Sequence, residues 1–484
     1  METVIDRATD AAFARYQMQR IEHWDRVATD PVPQRRSGYY HDRLRKLYGF
    51  RVPPGQRIIE LGSGSGDLLA SLEPARGVGV DFSPVMVAKA SQRYPSIEFI
   101  RADVHDLDLD ETFDFVILSD LVNDVWDVQA VLEQALPLCT PSTRIILNFY
   151  NKLWQGPLGL IRRLGLANPT ELQNWLAPQD VRNLLHLSGF DVITQSSEIL
   201  LPTRLGPISR VLNRVVVKFW PFNRLALTNF IVARPRPSKV GGMTGELAVS
   251  VVVPARNEAG NIASIIARTP QMGTRTELVF VEGNSTDDTY ATIEAALLGD
   301  GTEHVVLLRQ PGVGKGDAVR HGFAHATGDV LMILDADMTV APEDLPRFVD
   351  ALQSGVGEFI NGVRLVYPMQ KRAMRLLNFL GNKFFGFVFT WLLQQRIKDT
   401  LCGTKVLRRS DYELIAANRS YFGDFDPFGD FDLLFGASRL NMKIVDMPIR
   451  YHERIYGDTN ISRWRHGLVL LRMAAFAARR LRFI

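Results

Sequence analysis

Two aspartates separated by one residue carry the clearest chemical signal in this sequence. Asp335 and Asp337 directly follow the apolar run of residues 330–334. Carboxylates on a turn after a buried strand can share one hard cation, and Mg²⁺ or Mn²⁺ suits such oxygen ligands and substrate phosphates. Because Asp-x-Asp is common by chance, the position after an apolar run is what favours a metal. We predict a divalent metal site at Asp335 and Asp337.

A glycine-flanked lysine precedes this pair of aspartates. Lys315 lies between Gly314 and Gly316, so its loop is flexible and cationic and can reach a diphosphate. It is not a P-loop, because no Ser or Thr follows the lysine. Other polar residues follow two further apolar runs: Pro254, Asn257, Glu258 and Glu282.

A loop of alternating glycines stands out in the first half of the chain. Gly62, Gly64 and Gly66 let the backbone turn tightly and approach a ligand without a Cβ in the way. Their spacing differs from the Gly-x-Gly-x-x-Gly of dinucleotide folds, so NAD is the weaker alternative. Acidic residues accompany the loop: Glu60, Asp81 and Asp103. An acidic side chain after a second strand can hold both hydroxyls of a ribose, which favours an adenosyl ligand.

Apolar runs of strand length precede these residues in both halves. They are residues 57–61, 77–80, 113–118 and 144–149, then 249–253, 277–281, 304–309 and 330–334. Apolar strands that alternate with helices predict parallel sheets covered on both faces. Ligands of such sheets bind beyond the carboxyl ends of the strands, where the polar residues fall. We predict an α/β fold with two domains.

A segment rich in proline and glycine marks the predicted domain boundary. Residues 236–246 are predicted to be a linker, between a first domain of residues 1–235 and a second of residues 247–484. A length of 484 residues is too great for one ordinary core. A net charge of +3, from 56 basic and 53 acidic residues, argues against nucleic-acid binding.

Cysteine content and the N-terminal segment predict the compartment. Two cysteines exclude a disulfide framework, and the charged N-terminal residues do not resemble a signal peptide, so we expect a cytoplasmic protein. No segment reads cleanly as a transmembrane helix. Residues 376–393 read either as a buried helix or as an apolar face that receives a lipid-linked acceptor, and residues 468–484 either as a packed helix or as a membrane-surface segment.

The first half, from about residue 39 to residue 233, resembles the class I S-adenosylmethionine-dependent methyltransferases with their Rossmann-like sheet. The resemblance rests on the glycine loop and on the ordered acidic residues. It implies that Gly62, Gly64 and Gly66 cradle the methionine part of S-adenosylmethionine. It further implies that Glu60 orients the loop or receives the amino group, Asp81 binds the ribose and Asp103 binds the adenine amine. A hydroxyl acceptor of the methyl group can need a base, and four residues remain candidates for it: Asp120, Asp124, Tyr150 and His105.

Residues 247 to about 472 resemble the family 2 glycosyltransferases of the GT-A fold, particularly the branch of dolichyl- and polyprenyl-phosphate sugar synthases. The resemblance implies inverting, metal-dependent transfer from a nucleotide sugar. It assigns the nucleoside to Pro254, Ala255, Asn257, Glu258 and Glu282, and the metal and donor diphosphate to Asp335 and Asp337. Two positions depart from the family: Glu282-Gly283 replaces two consecutive aspartates, and Thr339 replaces a frequent glutamine.

The acceptor side of this resemblance centres on one acidic segment. Relatives carry an acidic residue near the reacting centre, for which Asp432 is the closer match and Asp430 the alternative. A general base is needed only for a hydroxyl acceptor, because a phosphate is already ionised. The resemblance also assigns the steadying of phosphate charge to Arg454, whose planar guanidinium can hold it bidentately.

Together the two resemblances predict a bifunctional methyltransferase and glycosyltransferase. Its expected partners are a nucleotide sugar and a polyprenyl phosphate or cell-envelope glycan precursor, with peripheral contact at the inner face of a membrane and no nucleic acid. Two alternatives stay open. One half could be a non-catalytic scaffold, or the sugar acceptor could be a soluble glycan or a small-molecule hydroxyl.

Overall fold

The structure is a computed structural model that describes residues 2–29, 31–163, 170–237, 247–299, 302–368, 376–419, 429–454, 456 and 463–484. The chain divides into two compact units, Met1–Gly241 with Phe483–Ile484, and Gly242–Arg482. Most of the predicted linker lies outside the described residues.

The first unit is built around one seven-stranded sheet. Its strands are β1 (Arg57–Leu61), β2 (Arg76–Asp81), β3 (Glu98–Arg101), β4 (Phe113–Ser119), β5 (Cys139–Tyr150), β6 (Phe190–Glu198) and β7 (Thr228–Pro235). Its helices are α1 (Glu2–Thr29), α2 (Pro31–Arg51), α3 (Asp67–Ser71), α4 (Pro84–Arg93), α5 (Val128–Ala135), α6 (Gln155–Arg163), α7 (Pro178–Leu187) and α8 (Pro207–Arg214). The strand order is β3-β2-β1-β4-β5-β7-β6.

Local sequence explains how these elements begin and pack. Ser83 accepts a hydrogen bond from the Met86 N–H through Oγ (3.1 Å), and Pro84 occupies the first turn, so α4 begins here. Ile58 and Ile59 are both buried, and they belong to separate apolar clusters. Because successive side chains of a strand point to opposite faces, the sheet is covered on both faces, as predicted.

The second unit also contains one seven-stranded sheet. Its strands are β8 (Ala248–Ala255), β9 (Arg275–Glu282), β10 (Val305–Arg309), β11 (Val330–Ile333), β12 (Phe359–Val363), β13 (Lys405–Arg408) and β14 (Ile444–Pro448). Its helices are α9 (Ile262–Arg268), α10 (Thr289–Ala296), α11 (Lys315–His325), α12 (Pro346–Gln353), α13 (Leu376–Leu393), α14 (Arg409–Ala417), α15 (Asp430–Arg439) and α16 (Arg463–Ala477). The order is β10-β9-β8-β11-β13-β12-β14, and a core that includes Val251, Phe280, Met332 and Phe348 packs against it.

The two-domain α/β fold is confirmed, and the eight predicted strands pair parallel with one another. Each sheet also contains an antiparallel strand outside this predicted set. β7 pairs antiparallel with β5 and β6, and β13 pairs antiparallel with β11 and β12. A central strand of either direction is buried on both faces, so its apolar run does not reveal its direction. Among the helices described, none combines the length and apolar character that crossing a membrane requires.

Candidate functional sites

The glycine loop of the first unit joins β1 to α3. Gly62, Gly64 and Gly66 all have positive φ angles, of 71°, 50° and 73°. A Cβ at Gly62 or Gly66 would lie 2.7 Å from Leu121 Cδ1 or 2.5 Å from Phe99 Cζ, whereas one at Gly64 would meet nothing within 4 Å. Gly64 therefore borders open space that a ligand can enter, and the other two glycines permit close packing.

Two of the predicted acidic residues hold this loop in place. Asp81 accepts hydrogen bonds from the N–H groups of Gly64 and Ser83, both at 2.9 Å, which ties the loop to the end of β2. Glu60 is buried, and its carboxylate accepts a hydrogen bond from the Leu69 N–H (3.1 Å) in α3. Burial raises the pKa of both carboxyls. Glu60 thus ties the end of β1 to α3, the helix that follows the loop.

The third acidic residue, Asp103, lies at a pocket of about 200 Å³. Its Oδ1 accepts from the His105 N–H (2.9 Å) and lies 2.6 Å from His105 Nδ1, and Gln17 of α1 donates to Oδ2. Burial opposes ionisation of Asp103, but these hydrogen bonds lower its pKa below the usual value. Phe82 and Leu121 also line the pocket, so it adjoins the ends of β2 and β4.

Helix α1 contributes side chains that were not among the predicted site residues. Arg20 Nη1 lies 2.8 Å from Asp124 Oδ1, Trp24 Nε1 donates to Asp124 Oδ2 (2.8 Å), and the Tyr16 hydroxyl donates to the Asp124 carbonyl (2.5 Å). Asp124 therefore anchors α1. Because these contacts occupy its carboxylate, Asp124 is a weaker candidate for the base. Residues 17, 20 and 24 are spaced to lie on one face of a helix, and this spacing is the sequence pattern that could have indicated their shared role.

Asp120 and Tyr150 mark the predicted acceptor side of the first unit. The Asp120 Oδ1 accepts hydrogen bonds from the Tyr40 hydroxyl (2.8 Å) and from Asn148 Nδ2 (2.5 Å). Burial raises the pKa of Asp120 to about 7. The Tyr150 ring lies 6.1 Å from the Tyr40 ring. Asp120 also has a φ of 55°, a conformation that non-glycine residues rarely adopt outside functional sites and turns.

In the second unit an ion pair joins the predicted loop and the predicted metal site. Lys315 is the first residue of α11, and its Nζ lies 2.6 Å from Asp335 Oδ1. Burial opposes ionisation of Asp335, but Lys315 and further cations lower its pKa below the usual value. A Cβ at Gly403 would lie 2.1 Å from Asp335 Oδ2 and 2.4 Å from Lys315 Nζ. A side chain at position 403 would therefore make Asp335 or Lys315 shift.

Arg454 bridges two of the predicted site residues. Its Nη2 lies 2.8 Å from Asp337 Oδ2, and its Nη1 lies 2.7 Å from Glu258 Oε1. Thr339 donates to Asp337 Oδ1 through its hydroxyl (2.7 Å) and its N–H (3.1 Å). Burial raises the pKa of Glu258 to about 7. Residues from the ends of β8, β11 and β14 thus meet at one place.

The predicted nucleoside residues also come together. Asn257, with a φ of 59°, donates its N–H to Ser285 Oγ (3.0 Å) and accepts from the Thr286 N–H (2.8 Å). Glu282 accepts from the Ser285 N–H (2.5 Å), and β8, which includes Pro254, pairs with β9 up to Ala255 and Glu282. The polar ends of β8 and β9 therefore form one surface.

The two predicted acidic residues on the acceptor side have different surroundings. Asp432 is 8% exposed, and its Oδ2 lies 2.8 Å from Arg419 Nε. The side chain of Asp430 lies outside the described residues, but this residue begins α15. A Cβ at Gly429 would lie 2.6 Å from Gly316 Cα, so the start of α15 packs beside the Lys315 loop.

The donor set at Asp335 and Asp337 suits a hard cation. Within the described part of the chain, no three His, Cys, Asp or Glu side chains converge on one point. Mg²⁺ is commonly held by one or two carboxylates, with substrate phosphates and water as the other ligands. The neighbouring cations Lys315 and Arg454 keep charge balanced around the two carboxylates. The residues present therefore fit a metal that binds together with a diphosphate.

Helix α13 combines both of the alternatives considered for residues 376–393. Phe385, Phe389 and Leu392 are buried, whereas Phe384 and Phe387 are exposed by 52% and 74%. One face of the helix thus belongs to the core, and the other presents apolar side chains to the outside.

Comparisons with known proteins agree with the division of the chain into two units. The profile of glycosyl transferase family 2 matches residues 250–415, and that of a methyltransferase domain matches residues 34–195. Glycosyltransferase AglJ from Haloferax volcanii is 30% identical over 225 residues, which are 46% of this chain and 69% of that protein.

Two further matches are a curated relative and a solved structure. Undecaprenyl-phosphate 4-deoxy-4-formamido-L-arabinose transferase from Sodalis glossinidius is 29% identical over 222 residues, 44% of this chain, and the match spans 63% of that protein's length. The solved structure of magnesium protoporphyrin IX methyltransferase from Synechocystis PCC 6803 with bound SAH is 18% identical, with a TM-score of 0.33, and covers 47% of this chain and 99% of that one. Because the Haloferax protein is matched at 30% identity over more than two thirds of its length, the chain belongs to glycosyl transferase family 2 through its second half, which is joined to a methyltransferase domain.

Proposed function

We propose that the chain is a bifunctional transferase. The first unit transfers a methyl group from S-adenosylmethionine, and the second transfers a sugar from a nucleotide sugar, with inversion and with Mg²⁺ or Mn²⁺. The proposed sugar acceptor is a polyprenyl phosphate or a cell-envelope glycan precursor, reached by peripheral contact at the inner face of a membrane. The name of the Sodalis relative, a transferase that acts with undecaprenyl phosphate, supports this acceptor class.

One observation carries the glycosyl-transfer proposal: alternating charges at the end of β11. Lys315 pairs with Asp335, and Arg454 pairs with both Asp337 and Glu258. Such a set of charges can bind a metal ion together with a diphosphate. The carboxylates would hold the metal ion, and the cationic side chains of Lys315 and Arg454 would balance the phosphate charge. A bound Mg²⁺ or Mn²⁺ would supply Lewis-acid stabilisation of the leaving diphosphate.

The surroundings of Asp432 favour a phosphate acceptor over a hydroxyl. A phosphate attacks as an anion, so no side chain has to remove a proton. Asp432, the closer match to an acidic catalytic residue, is held by Arg419 at 2.8 Å. Its carboxylate is therefore better explained as part of the link between α15 and the residues after α14. The exposed face of α13 would then receive the apolar part of a lipid-linked acceptor.

For the methyl-transfer proposal, the fit of S-adenosylmethionine rests on the open side of the glycine loop. Space remains beside Gly64, Asp81 holds the loop beneath it, and Asp103 lies at the adjoining pocket. The bound cofactor would supply the methyl group. Asp120, with its raised pKa, would accept the proton of a hydroxyl acceptor while the acceptor oxygen bonds to the methyl carbon, the methyl–sulfur bond breaks and the thioether leaves.

The test is a pair of assays on the full chain. A panel of nucleotide sugars is incubated with Mn²⁺ and polyprenyl phosphate, and donor cleavage and labelled lipid are both measured. S-adenosylmethionine binding is measured separately by calorimetry. We expect one donor to be used and the cofactor to bind. Absence of cofactor binding would identify the first unit as a scaffold, and donor cleavage that depends on a soluble glycan would replace the lipid acceptor.

A further inference from the structure

Helix α8 presents its apolar side outward and its polar side inward. Ser209 and Asn213 are 1% exposed, whereas Ile208 and Val211 are exposed by 60% and 53%. The polar side is fixed by hydrogen bonds: Asn213 Oδ1 accepts from the Leu200 N–H at 2.7 Å, and Ser209 Oγ donates to the Thr203 carbonyl at 2.7 Å. The outward direction of the apolar side chains is therefore built into the unit.

The exposed apolar surface continues into the neighbouring segments. We define the α8 face as Leu153, Ile208, Val211, Trp220, Phe222 and Leu225, each of which is at least 46% exposed. Trp154 Nε1 donates to the Leu225 carbonyl (2.9 Å), and this hydrogen bond connects the segment that contains Leu153 to the one that contains Leu225. Exposed apolar side chains grouped on adjoining segments in this way are typical of a binding surface.

The segment that carries all of the α8 face except Leu153 has only basic charges. Residues 199–227 contain no Asp or Glu. Four exposed arginines lie in this stretch: Arg204, Arg210, Arg214 and Arg224. The one buried cation, Lys218, is paired with Glu198, and the exposed Arg204 also lies 3.4 Å from Asp42.

We propose that the α8 face docks on an anionic phospholipid bilayer. Apolar and aromatic side chains would enter the interface, and the arginines would meet the lipid phosphates. A second copy of the chain is a poorer occupant, because a two-fold interface places like charges against each other. At eight residues, α8 can lie in the interface and is too short to span a bilayer.

The docked surface is attached to the acceptor side of the first unit. Asn151, which directly follows β5, donates through Nδ2 to the carbonyls of Arg224 and Ala226, both at 3.0 Å. Tyr150 and Asp120 are at the ends of β5 and the neighbouring β4. Docking would therefore bring this side of the sheet to the bilayer. If the unit docks in this way, its methyl acceptor is a lipid-anchored molecule. This inference about the acceptor rests on the proposed methyl transfer.

The test uses the buried state of both native cysteines. Cys139 and Cys402 are buried, so an environment-sensitive fluorophore labels an introduced surface cysteine selectively. The probe is placed at Val211→Cys in the full chain and, as a matched control, at Leu187→Cys, which is 57% exposed on α7. Vesicles contain either phosphatidylglycerol with phosphatidylcholine, or phosphatidylcholine alone.

We expect a blue shift and a several-fold rise in emission at position 211 with phosphatidylglycerol vesicles only, lost at high salt, and no change at position 187. Arg210→Glu should weaken vesicle binding by about tenfold. Co-sedimentation without a response at position 211 would overturn the proposal, as would a response that depends on protein concentration without vesicles. Because no methyl transfer is measured, failure of the proposed reaction cannot be mistaken for failure of docking.

Discussion

Lys315 Nζ lies 2.6 Å from Asp335 Oδ1, which joins the beginning of α11 to the turn after β11. The loop cation and the first carboxylate of the Asp-x-Asp pair are therefore held together. Under the proposed function, a donor phosphate bound by Lys315 would lie beside the predicted metal ligands. A Cβ at Gly403 would overlap both groups, so this ion-pair geometry requires a residue without a side chain there or a shift of the two side chains.

Gly403→Ala tests this arrangement. The added Cβ would displace Asp335 Oδ2 and Lys315 Nζ, so kcat/KM for sugar transfer should fall by at least about tenfold, the equivalent of about 1.4 kcal/mol. The control is Gly467→Ala in α16, where a Cβ meets nothing within 4 Å. Equal activity of the two variants would show that the pair is not part of the donor site.

Gly64→Leu should abolish binding of S-adenosylmethionine, because the side chain fills the open space beside the loop. Gly55→Leu is a matched control: Gly55 has a similar φ of +76° and nothing within 4 Å, so backbone strain is comparable without occupation of the site. Titration calorimetry compares the two. If both variants lose affinity equally, strain and not the cradle explains the effect.

The proposed role of Asp120 as the base predicts how methyl transfer should depend on pH. The Asp120 pKa of about 7 implies that kcat/KM rises by about tenfold per pH unit below this value and levels off above it. Asp120→Asn should remove most of the activity together with this rise. An unchanged profile in the variant would exclude Asp120 as the base.

The raised pKa of Asp120 also predicts that fold stability falls as pH rises, whereas methyl transfer should increase. The folded pKa of about 7 exceeds the value of about 3.9 in an unfolded chain. Asp120 thus stabilises the fold below about pH 4, and this contribution is lost as pH rises to about 7. Asp120→Asn should gain thermal stability relative to the parent from pH 4 to pH 8. A constant difference in Tm across this range would contradict the raised pKa.

Asp432→Asn separates the two acceptor classes. If the acceptor is a phosphate, sugar transfer should fall by much less than the roughly hundredfold loss typical of removing a general base. The broken link to Arg419 should cost about 1–3 kcal/mol of unfolding free energy. Arg419→Met is the control and should show a similar loss of stability. A collapse of transfer in Asp432→Asn alone would favour a hydroxyl acceptor.

Sequence patterns were sufficient for the elements that carry the site. Residues 57–61 were predicted as a strand and form β1 (Arg57–Leu61), because a continuous apolar run is buried on both faces. The glycine loop, Asp81 and the Asp335–Asp337 turn lie where the ends of strands were expected.

Long-range relationships could not be read from the same patterns. Arg454 is 196 residues from Glu258 and 117 from Asp337, and their contact depends on the tertiary fold. Helix α1 lay outside the recognised region, so its contact with Asp124 was not expected. The antiparallel direction of β7 and β13 is set by chain connections, which strand composition does not record.

The most direct test of the central claim is Mn²⁺-dependent transfer of a labelled sugar from a nucleotide sugar to polyprenyl phosphate by the full chain and two aspartate variants. Asp337→Asn removes a predicted metal ligand and a partner of Arg454, whereas Asp350→Asn changes an exposed residue of α12. We predict that the parent and Asp350→Asn form labelled lipid, that Asp337→Asn loses at least about hundredfold of the rate, and that chelation abolishes transfer. Transfer that persists in Asp337→Asn or in the presence of a chelator would contradict the account.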